Sequence, residues 1–269
     1  MKNYSVRVDR SEVLAWIGAG KKEEKKEPST ADVCSHVHSG HRKAGDSANA
    51  LSPQSELWET QKEKEDSALL RQIERAVRTV ESVAAARYTY AVFDIGSISD
   101  AASVTLKGAA LQLTGTDIVS LLDGCGRCIL MAVTLGPQLD RAIRKEQLAS
   151  MSDALLLNLC ASSAADDLCN RIYLDLEEEF LTRGFFLTDR FSPGYGDLPV
   201  ELQGEICRAL QTEKRIGLSV TSGSMLLPVK SITAVIGISR RPQPKKISGC
   251  KNCKMKETCS FRKAGKTCE

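Results

Sequence analysis

The sequence predicts a globular protein in which α-helices and β-strands pack together in layers. The first observation is composition, because 42% of the 269 residues are hydrophobic, which is enough to bury a core. The second is the alternation of short apolar runs with segments of helical periodicity along the chain. The third is one long helical pattern, over about 152–182, that can support a large part of such a fold.

The N-terminal segment 1–18 predicts a strand and a short helix that join the main domain. Tyr4, Val6 and Val8 alternate with polar residues, which is typical of a strand with one buried face. Ser11 is placed to cap the helix that follows.

Residues 19–64 have no periodicity and predict a disordered polar insertion, because they contain too little apolar surface to offset the cost of ordering. The only histidines of the chain, His36, His38 and His41, lie in this insertion. Ser-His-Asp and Cys-His catalysis in the folded body is therefore excluded. With Cys34 these histidines could bind a metal, although no surrounding structure is expected to preorganise them.

Periodicity returns at residue 65, where the main domain is expected to begin, and the domain is expected to run to residue 240. Apolar residues at three- and four-residue spacing predict its first helix over about 66–86. Apolar runs predict three strands, at Tyr88–Ile95, Ser103–Lys107 and Cys128–Leu135. Thr116 or Asp117 is expected to cap a short helix that ends at Leu122.

The long helix predicted over 152–182 has an aspartate in the middle of its expected core-facing stripe. The stripe follows alternating four- and three-residue steps and consists of Leu155, Leu159, Ser162, Asp166, Cys169, Tyr173, Leu176 and Phe180. A carboxylate there must be paired, hydrogen-bonded or line a cavity, because burying it bare costs on the order of several kcal/mol. Asp166 is thus a candidate ligand-binding residue. The alternatives are that Asp167 is instead the solvated carboxylate, or that either aspartate pairs with a backbone donor.

The stretch Arg190–Asp197, with the sequence RFSPGYGD, is the main candidate for a ligand-binding loop. Pro193 fixes its own φ, and Gly194 permits backbone angles that other residues resist. Arg190 offers a planar fork of donors that suits a carboxylate, and Tyr195 can place its ring or hydroxyl against a ligand. The alternative interpretation is a solvent-facing turn with a surface arginine, because Pro-Gly pairs usually mark turns.

The remainder of the main domain predicts one further helix and two strands. Leu202, Ile206 and Leu210 mark the helix over about 200–213. The strands are expected at Ile216–Val220 and Ser231–Ser239.

The charge balance and the apolar segments exclude several classes of partner. The 37 basic and 34 acidic residues give a net charge of +3, which is too even to predict binding to nucleic acid or to a membrane. The first residues do not resemble a signal peptide, so we expect the cytoplasm. Cysteines are usually thiols or metal ligands there, and Cys125 and Cys128 are better interpreted as packing thiols than as a redox pair, because they follow a helix and precede a strand.

Residues 241–269 predict a small cysteine-rich metal-binding tail. Its ligands would be Cys250, Cys253, Cys259 and Cys268, which follow a proline-containing break and lie among lysines. Four thiolates suit either tetrahedral zinc or an iron–sulfur cluster, and the spacing fits no single template. Thiols without a metal are the third alternative.

The order of these features resembles the S-adenosylmethionine-binding activation domain of cobalamin-dependent methionine synthase, in its free-standing form. The resemblance spans about 85–240 and rests on AVTLG at 132–136, the long helix, RFSPGYGDLP at 190–199 and RIGLSVTSGSMLLPVKSITAVIGIS at 215–239. It implies an α+β class, with a helmet-shaped domain built on a twisted antiparallel sheet and long helices.

The resemblance also implies a binding site and a role. Arg190, Gly194 and Tyr195 match the R-x-x-x-G-Y signature that binds S-adenosylmethionine, and Asp166 takes the place of an acidic residue, usually glutamate, near the ligand's cationic end. No D-x-H-x-x-G motif is present to ligate cobalt, so the cobalamin would be carried by a partner methionine synthase or another corrinoid protein.

The implied activity is support for reductive remethylation of that cobalamin, with no catalytic residue of the chain's own. An electron-transfer protein is a further expected partner, and the need for an electron favours an iron–sulfur cluster over zinc in the tail. The alternative function is a sensor or adaptor that binds S-adenosylmethionine or a corrinoid protein without turnover.

Overall fold

The protein is built on a six-stranded antiparallel sheet. The structure, a computed structural model, describes residues 2–17, 53–99, 102–109 and 111–243, with the backbone alone for 53–65. The strand order in the sheet is β3-β2-β1-β4-β8-β5, and a two-stranded sheet pairs β6 with β7. The strands are β1 Arg87–Ser99, β2 Ser103–Leu106, β3 Gln112–Thr114, β4 Arg127–Thr134, β5 Phe186–Leu187, β6 Ser219–Val220, β7 Leu226–Leu227 and β8 Ser231–Ser239.

Helices cover both faces of the large sheet. They are α1 Arg10–Trp16, α2 Pro53–Val83, α3 Thr116–Leu122, α4 Pro137–Ala149, α5 Met151–Thr182, α6 Leu202–Leu210 and α7 Thr212–Ile216. One core lies between the sheet and α1, α2, α4 and α5, and the other lies on the side of α3, α6 and α7. The α+β class and the antiparallel sheet predicted from the resemblance are confirmed.

Strand β4 is buried on both faces because it lies in the middle of the sheet between β1 and β8. Ile129 and Met131 belong to the core on the α5 side, whereas Leu130 and Ala132 belong to the core on the α3 side. This position explains the continuous apolar run that predicted the strand, since alternate residues of a strand point to opposite faces.

Helix α5 extends over nearly the predicted range, but its buried side differs from the predicted stripe. Ser150 caps the helix by accepting a hydrogen bond from the Asp153 backbone nitrogen at 3.2 Å. Leu155 is 57% exposed, and the buried arc is instead centred on residues such as Leu157, Ala161, Leu168 and Ile172. The prediction failed because α1, α2, α4 and the sheet all pack on α5, so the buried arc is wider than a single stripe.

The predicted N-terminal strand is wrong. Residues 2–9 form no strand, although Tyr4, Val6 and Val8 are more buried than their neighbours, as the alternation predicted. The segment is instead held against α5, where Arg171 Nη2 donates to the Ser5 carbonyl oxygen at 2.7 Å. The alternation therefore predicted which side chains are more buried, but it did not predict the hydrogen-bond partners of the backbone.

Three other boundaries differ from the predictions. The N-cap of α1 is Asp9 rather than Ser11, because the Asp9 side chain accepts from the Ser11 and Glu12 backbone nitrogens. Helix α2 begins at Pro53, so the predicted polar insertion is helical in its last part. The strand expected at 216–220 is confined to β6, because Ile216 belongs to α7 and Gly217 is the left-handed C-cap of that helix.

Some predicted features lie outside the described residues. These are the histidine segment with His36, His38 and His41 and the tail cysteines Cys250, Cys253, Cys259 and Cys268. Within the described ranges, no helix is long and apolar enough to cross a membrane. Cys125 and Cys128 are both buried, and burial raises the pKa of the Cys128 thiol to about 12, which favours their interpretation as packing thiols.

Candidate functional site

Arg190 is positioned by an isolated β-bridge between the next residue, Phe191, and β8. The backbone nitrogen of Phe191 donates to the Val235 carbonyl oxygen at 2.9 Å, and the Val235 nitrogen donates back at 2.7 Å. Just before the arginine, the Thr188 nitrogen donates to the Gly237 carbonyl oxygen at 3.0 Å. The chain on both sides of Arg190 is therefore hydrogen-bonded to β8, so the sheet fixes the backbone that carries the arginine.

The guanidinium of Arg190 is held against α5 by three side chains. Nη2 donates to Asn170 Oδ1 at 2.9 Å and to Asp166 Oδ1 at 3.4 Å, and Nη1 donates to Cys169 Sγ at 3.1 Å. The Arg190 side chain is only 22% exposed. An arginine has five N–H donors, so these contacts fix the plane of the fork and leave donors to spare for an anionic ligand.

Cys169 acts as a neutral neighbour of the arginine. Its side chain is fully buried, and burial raises the pKa of the thiol to about 11, although Arg190 acts in the opposite direction. The thiol therefore does not neutralise the guanidinium at neutral pH. Of the three groups that contact Arg190, the only formal negative charge is that of Asp166.

Asp166 lies at the edge of the α5 core rather than within it. Its side chain is 46% exposed, so the carboxylate is both paired with Arg190 and open to a ligand. Its neighbour Asp167 is engaged separately, since Arg171 Nε donates to its Oδ2 at 2.8 Å. The structure thus brings together the arginine and the aspartate that the sequence singled out.

Glu12 of α1 adds a second carboxylate beside Asp166, and the sequence analysis missed it. Ser163 Oγ donates to Glu12 Oε2 at 2.6 Å, which fixes the α1 side chain against α5. The pKa of Glu12 is raised, mainly because the carboxyl is desolvated and further because Asp166, Asp9 and Asp167 are near. Two carboxylates, Glu12 from α1 and Asp166 from α5, therefore lie along this edge of α5.

The loop after Arg190 is closed by its own backbone. Gly194 N donates to the Leu198 carbonyl oxygen at 2.9 Å, and Tyr195 N donates to the Ser192 carbonyl oxygen at 3.1 Å. Gly194 has φ +91° and Gly196 has φ +57°, both of which favour glycine. Tyr195 is 68% exposed, so its ring is available to cover a ligand.

Asp197 ties the end of this loop to the start of α3. Its carboxylate accepts from the backbone nitrogens of Thr116 at 2.6 Å and Asp117 at 3.0 Å. The pKa of Asp197 is lowered, first by the hydrogen bond from the Thr116 hydroxyl. The predicted cap by Thr116 or Asp117 is therefore wrong, because the capping carboxylate comes from a residue distant in sequence.

Lys230, which precedes β8, contacts α5 one helical turn before Asp166. Its Nζ donates to Ser162 Oγ at 2.8 Å, and burial lowers the pKa of the amine. Sequence reasoning had no signal for this lysine, because its partner is 68 residues away. It places an ammonium group on the same polar edge of α5 as the two carboxylates.

No metal site is formed by the part of the chain that the structure describes, in which no three His, Cys, Asp or Glu side chains are grouped to hold an ion. Three of the polar groups singled out by the sequence, Asp166, Arg190 and Tyr195, are described, together with Gly194. Arg190 is paired with Asp166, and Tyr195 is exposed on the loop that follows Arg190.

The fold and this site define the class of the protein as an α+β domain with a loop-borne arginine docked on a long helix. Its structure is similar to the crystal structure of the MetH reactivation domain bound to AdoHcy, with a TM-score of 0.52 and 12% sequence identity. The match covers 75% of this chain and 73% of that chain. It shows that the two share a fold. No protein-family model matches the sequence, and no curated protein does.

Proposed function

We propose that the protein binds S-adenosylmethionine at the site formed by Arg190, Gly194, Tyr195 and Asp166. The observation that carries the proposal is the Arg190 guanidinium, which α5 holds in a fixed plane beside the half-exposed Asp166 carboxylate. The methionine part of the ligand is zwitterionic and its sulfonium is cationic. A fixed arginine next to a carboxylate matches that charge pattern.

Each group of the site has a separate task in this proposal. Arg190 binds the ligand carboxylate through the donors that α5 does not use, while Asp166 and Glu12 stabilise the cationic end. Tyr195 covers the ligand with its exposed ring. The structural neighbour was crystallised with AdoHcy, the product that S-adenosylmethionine becomes when it loses its methyl group, which supports this choice of ligand.

The proposed role is to support reductive remethylation of cobalamin carried by a partner methionine synthase, or by another corrinoid protein, in the cytoplasm. In this role, one electron from a reductant protein and the methyl group of S-adenosylmethionine would convert the partner's cob(II)alamin to methylcobalamin. The carbon–sulfur bond of the methyl donor would break, leaving S-adenosylhomocysteine. The reaction needs no general base, so this chain contributes by binding and orienting the methyl donor.

A second part of the proposal concerns the tail. Cys250, Cys253, Cys259 and Cys268 would bind an iron–sulfur cluster or zinc through four thiolates. Anaerobic purification followed by metal analysis and absorption spectroscopy tests this. Stoichiometric iron and sulfide with visible charge-transfer absorption indicate a cluster, stoichiometric zinc without absorption indicates zinc, and neither metal contradicts the proposal.

A reconstituted reaction tests the proposed role. The intact protein is mixed with a cob(II)alamin-loaded methionine synthase that lacks its own activation domain, a one-electron reductant and methyl-labelled S-adenosylmethionine. We expect label in methylcobalamin with the wild type and with Arg215→Ala, a control at an exposed arginine of α7, but not with Arg190→Ala. Saturable ligand binding without label transfer would select the sensor or adaptor function instead.

A further inference from the structure

A second concave site lies on the same side of the sheet as α5 but away from Arg190. It is a groove of about 500 Å³, within the range of about 300–1,000 Å³ that is usual for small-molecule sites. Its lining comes from the N-terminal segment, β1 and the last turns of α5. We call it the tyrosine groove, and its main members are Lys2, Tyr4, Tyr88, Tyr90, Asp175 and Glu178.

The tyrosine groove is distinct from the arginine site. Arg190 contacts α5 at Asp166, Cys169 and Asn170, whereas the α5 residues of the groove begin at Ile172. A rise of 1.5 Å per residue places Glu178 about 12 Å beyond Asn170 along the helix axis. A ligand at one site therefore leaves the other accessible.

Two of the three tyrosine rings of the groove are held in fixed positions. The Tyr4 and Tyr88 rings meet edge to face with centroids 5.4 Å apart. The Tyr4 hydroxyl donates to Asp175, and the Lys2 backbone nitrogen donates to the Tyr88 hydroxyl at 3.1 Å. Ordered tyrosine rings present a negative face, which attracts cations.

One of these rings already binds a cation of the protein itself. The Arg171 guanidinium lies 5.7 Å from the centroid of the Tyr4 ring. No corresponding arginine or lysine is recorded on the Tyr90 ring among the described residues, and Tyr90 is half-buried. Tyr90, like Tyr88, is therefore a tyrosine of the groove lining on which no cation of the described residues lies.

Three carboxylates and one ammonium group line the groove. Asp175 is paired with Lys2 at 3.2 Å and Glu179 with Arg183 at 2.8 Å. Glu178 has no ion-pair partner in the described part of the chain. The pKa of Tyr90 is raised, first by burial and then by Glu179 and Tyr88, while Arg183 acts in the opposite direction.

We propose that the tyrosine groove binds a small organic cation of the alkylammonium or guanidinium class. The cationic group lies between the Tyr90 ring and the Glu178 carboxylate, and Tyr88 contacts its apolar part. The combination of ordered rings, an unpaired carboxylate and a cavity of small-molecule size carries this inference. It does not depend on the function proposed for the arginine site.

A titration of the intact protein with choline, followed by protein NMR, tests the proposal. Its neutral isostere 3,3-dimethyl-1-butanol has the same shape without the charge. We expect saturable shifts of Tyr90 and its neighbours with choline and none with the isostere. Glu178→Gln should weaken binding by about two- to fivefold, the size expected for one exposed charge interaction.

Ring and charge controls separate the contributions. Tyr90→Phe keeps the aromatic face and should retain binding, whereas Tyr90→Leu should lose a further factor of about two to five. Glu213→Gln, an exposed carboxylate of α7, should leave choline binding unchanged. No saturation by choline, equal binding of the isostere, or equal effects of Glu178→Gln and Glu213→Gln would overturn the proposal. Because Glu178 is exposed, its variant carries the test even if Tyr90→Leu does not fold.

Discussion

The carboxylate of Asp197 accepts hydrogen bonds from the Thr116 backbone nitrogen at 2.6 Å and from the Thr116 hydroxyl at 2.5 Å. One residue at the end of the arginine loop thus serves as the cap of α3, 81 residues earlier in the chain. The loop and the helix therefore stabilise each other, because both hydrogen bonds are lost if either element moves. Two predictions follow from this link between the site and the fold.

Asp197→Ala should lower the free energy of unfolding by about 1 kcal/mol, as is usual for the loss of a helix cap. The pKa of Asp197 is lower in the folded state, so its contribution is present above the unfolded pKa and is lost as the pH falls through the folded pKa. Denaturant unfolding at neutral and acidic pH measures both effects. Asp123→Ala, an exposed aspartate at the other end of α3, is the control. An equal loss for both variants would contradict the capping role.

Gly196→Ala should destabilise the protein more than Gly194→Ala. Both glycines have positive φ, which costs other residues roughly 1–2 kcal/mol. A Cβ at Gly196 would also lie 2.1 Å from Asp117 Oδ2, whereas a Cβ at Gly194 meets nothing closer than 3.8 Å. Chemical denaturation gives the order of the two losses.

The matched control for the glycines is Gly204→Ala in α6, where a Cβ would meet nothing within 4 Å and φ is not positive. This variant should be neutral or stabilising by up to about 1 kcal/mol, because alanine favours a helix more than glycine does. If Gly196→Ala and Gly204→Ala were equally stable, the close approach to Asp117 would not constrain the loop.

Glu12→Gln should stabilise the protein at neutral pH. The folded state raises the pKa of Glu12, so the wild type loses stability as the pH rises from the unfolded to the folded pKa. Glutamine keeps an acceptor for Ser163 without the desolvated charge. Thermal unfolding should therefore show a higher Tm for Glu12→Gln at neutral pH and no difference in acid.

The exposed Glu213 provides the control for that measurement, since Glu213→Gln changes the same charge without desolvation. A Glu12→Gln protein that is less stable than the wild type at neutral pH would show that the carboxylate stabilises the fold. The predicted outcome instead makes Glu12 a residue retained at a cost in stability, as expected for a group that serves a ligand site.

Strands β4 and β8 could be predicted from the sequence, because both are apolar or alternating over their whole length and each has a neighbouring strand on both sides. Elements fixed by distant partners could not. The buried face of α5 depends on four neighbouring elements, and the segment 2–9 is held by α5 side chains rather than by a strand. Neither arrangement leaves a local pattern.

The same distinction applies to the site. Arg190 and Asp166 could be found, because one is in a distinctive loop and the other interrupts an apolar helix pattern. Asn170 was missed although it lies four residues after Asp166 and hence on the same face of α5. Glu12 and Lys230 had no sequence signal, since each meets α5 only through the tertiary fold.

Calorimetric titration of the intact protein with S-adenosylmethionine tests the central claim most directly. We predict saturable binding at one site, a loss of roughly ten- to a hundredfold in affinity for Arg190→Ala, as expected for hydrogen bonds to a charged group, and wild-type affinity for Arg215→Ala. Wild-type protein without saturable binding, or Arg190→Ala with unchanged affinity, would contradict the assignment of this site.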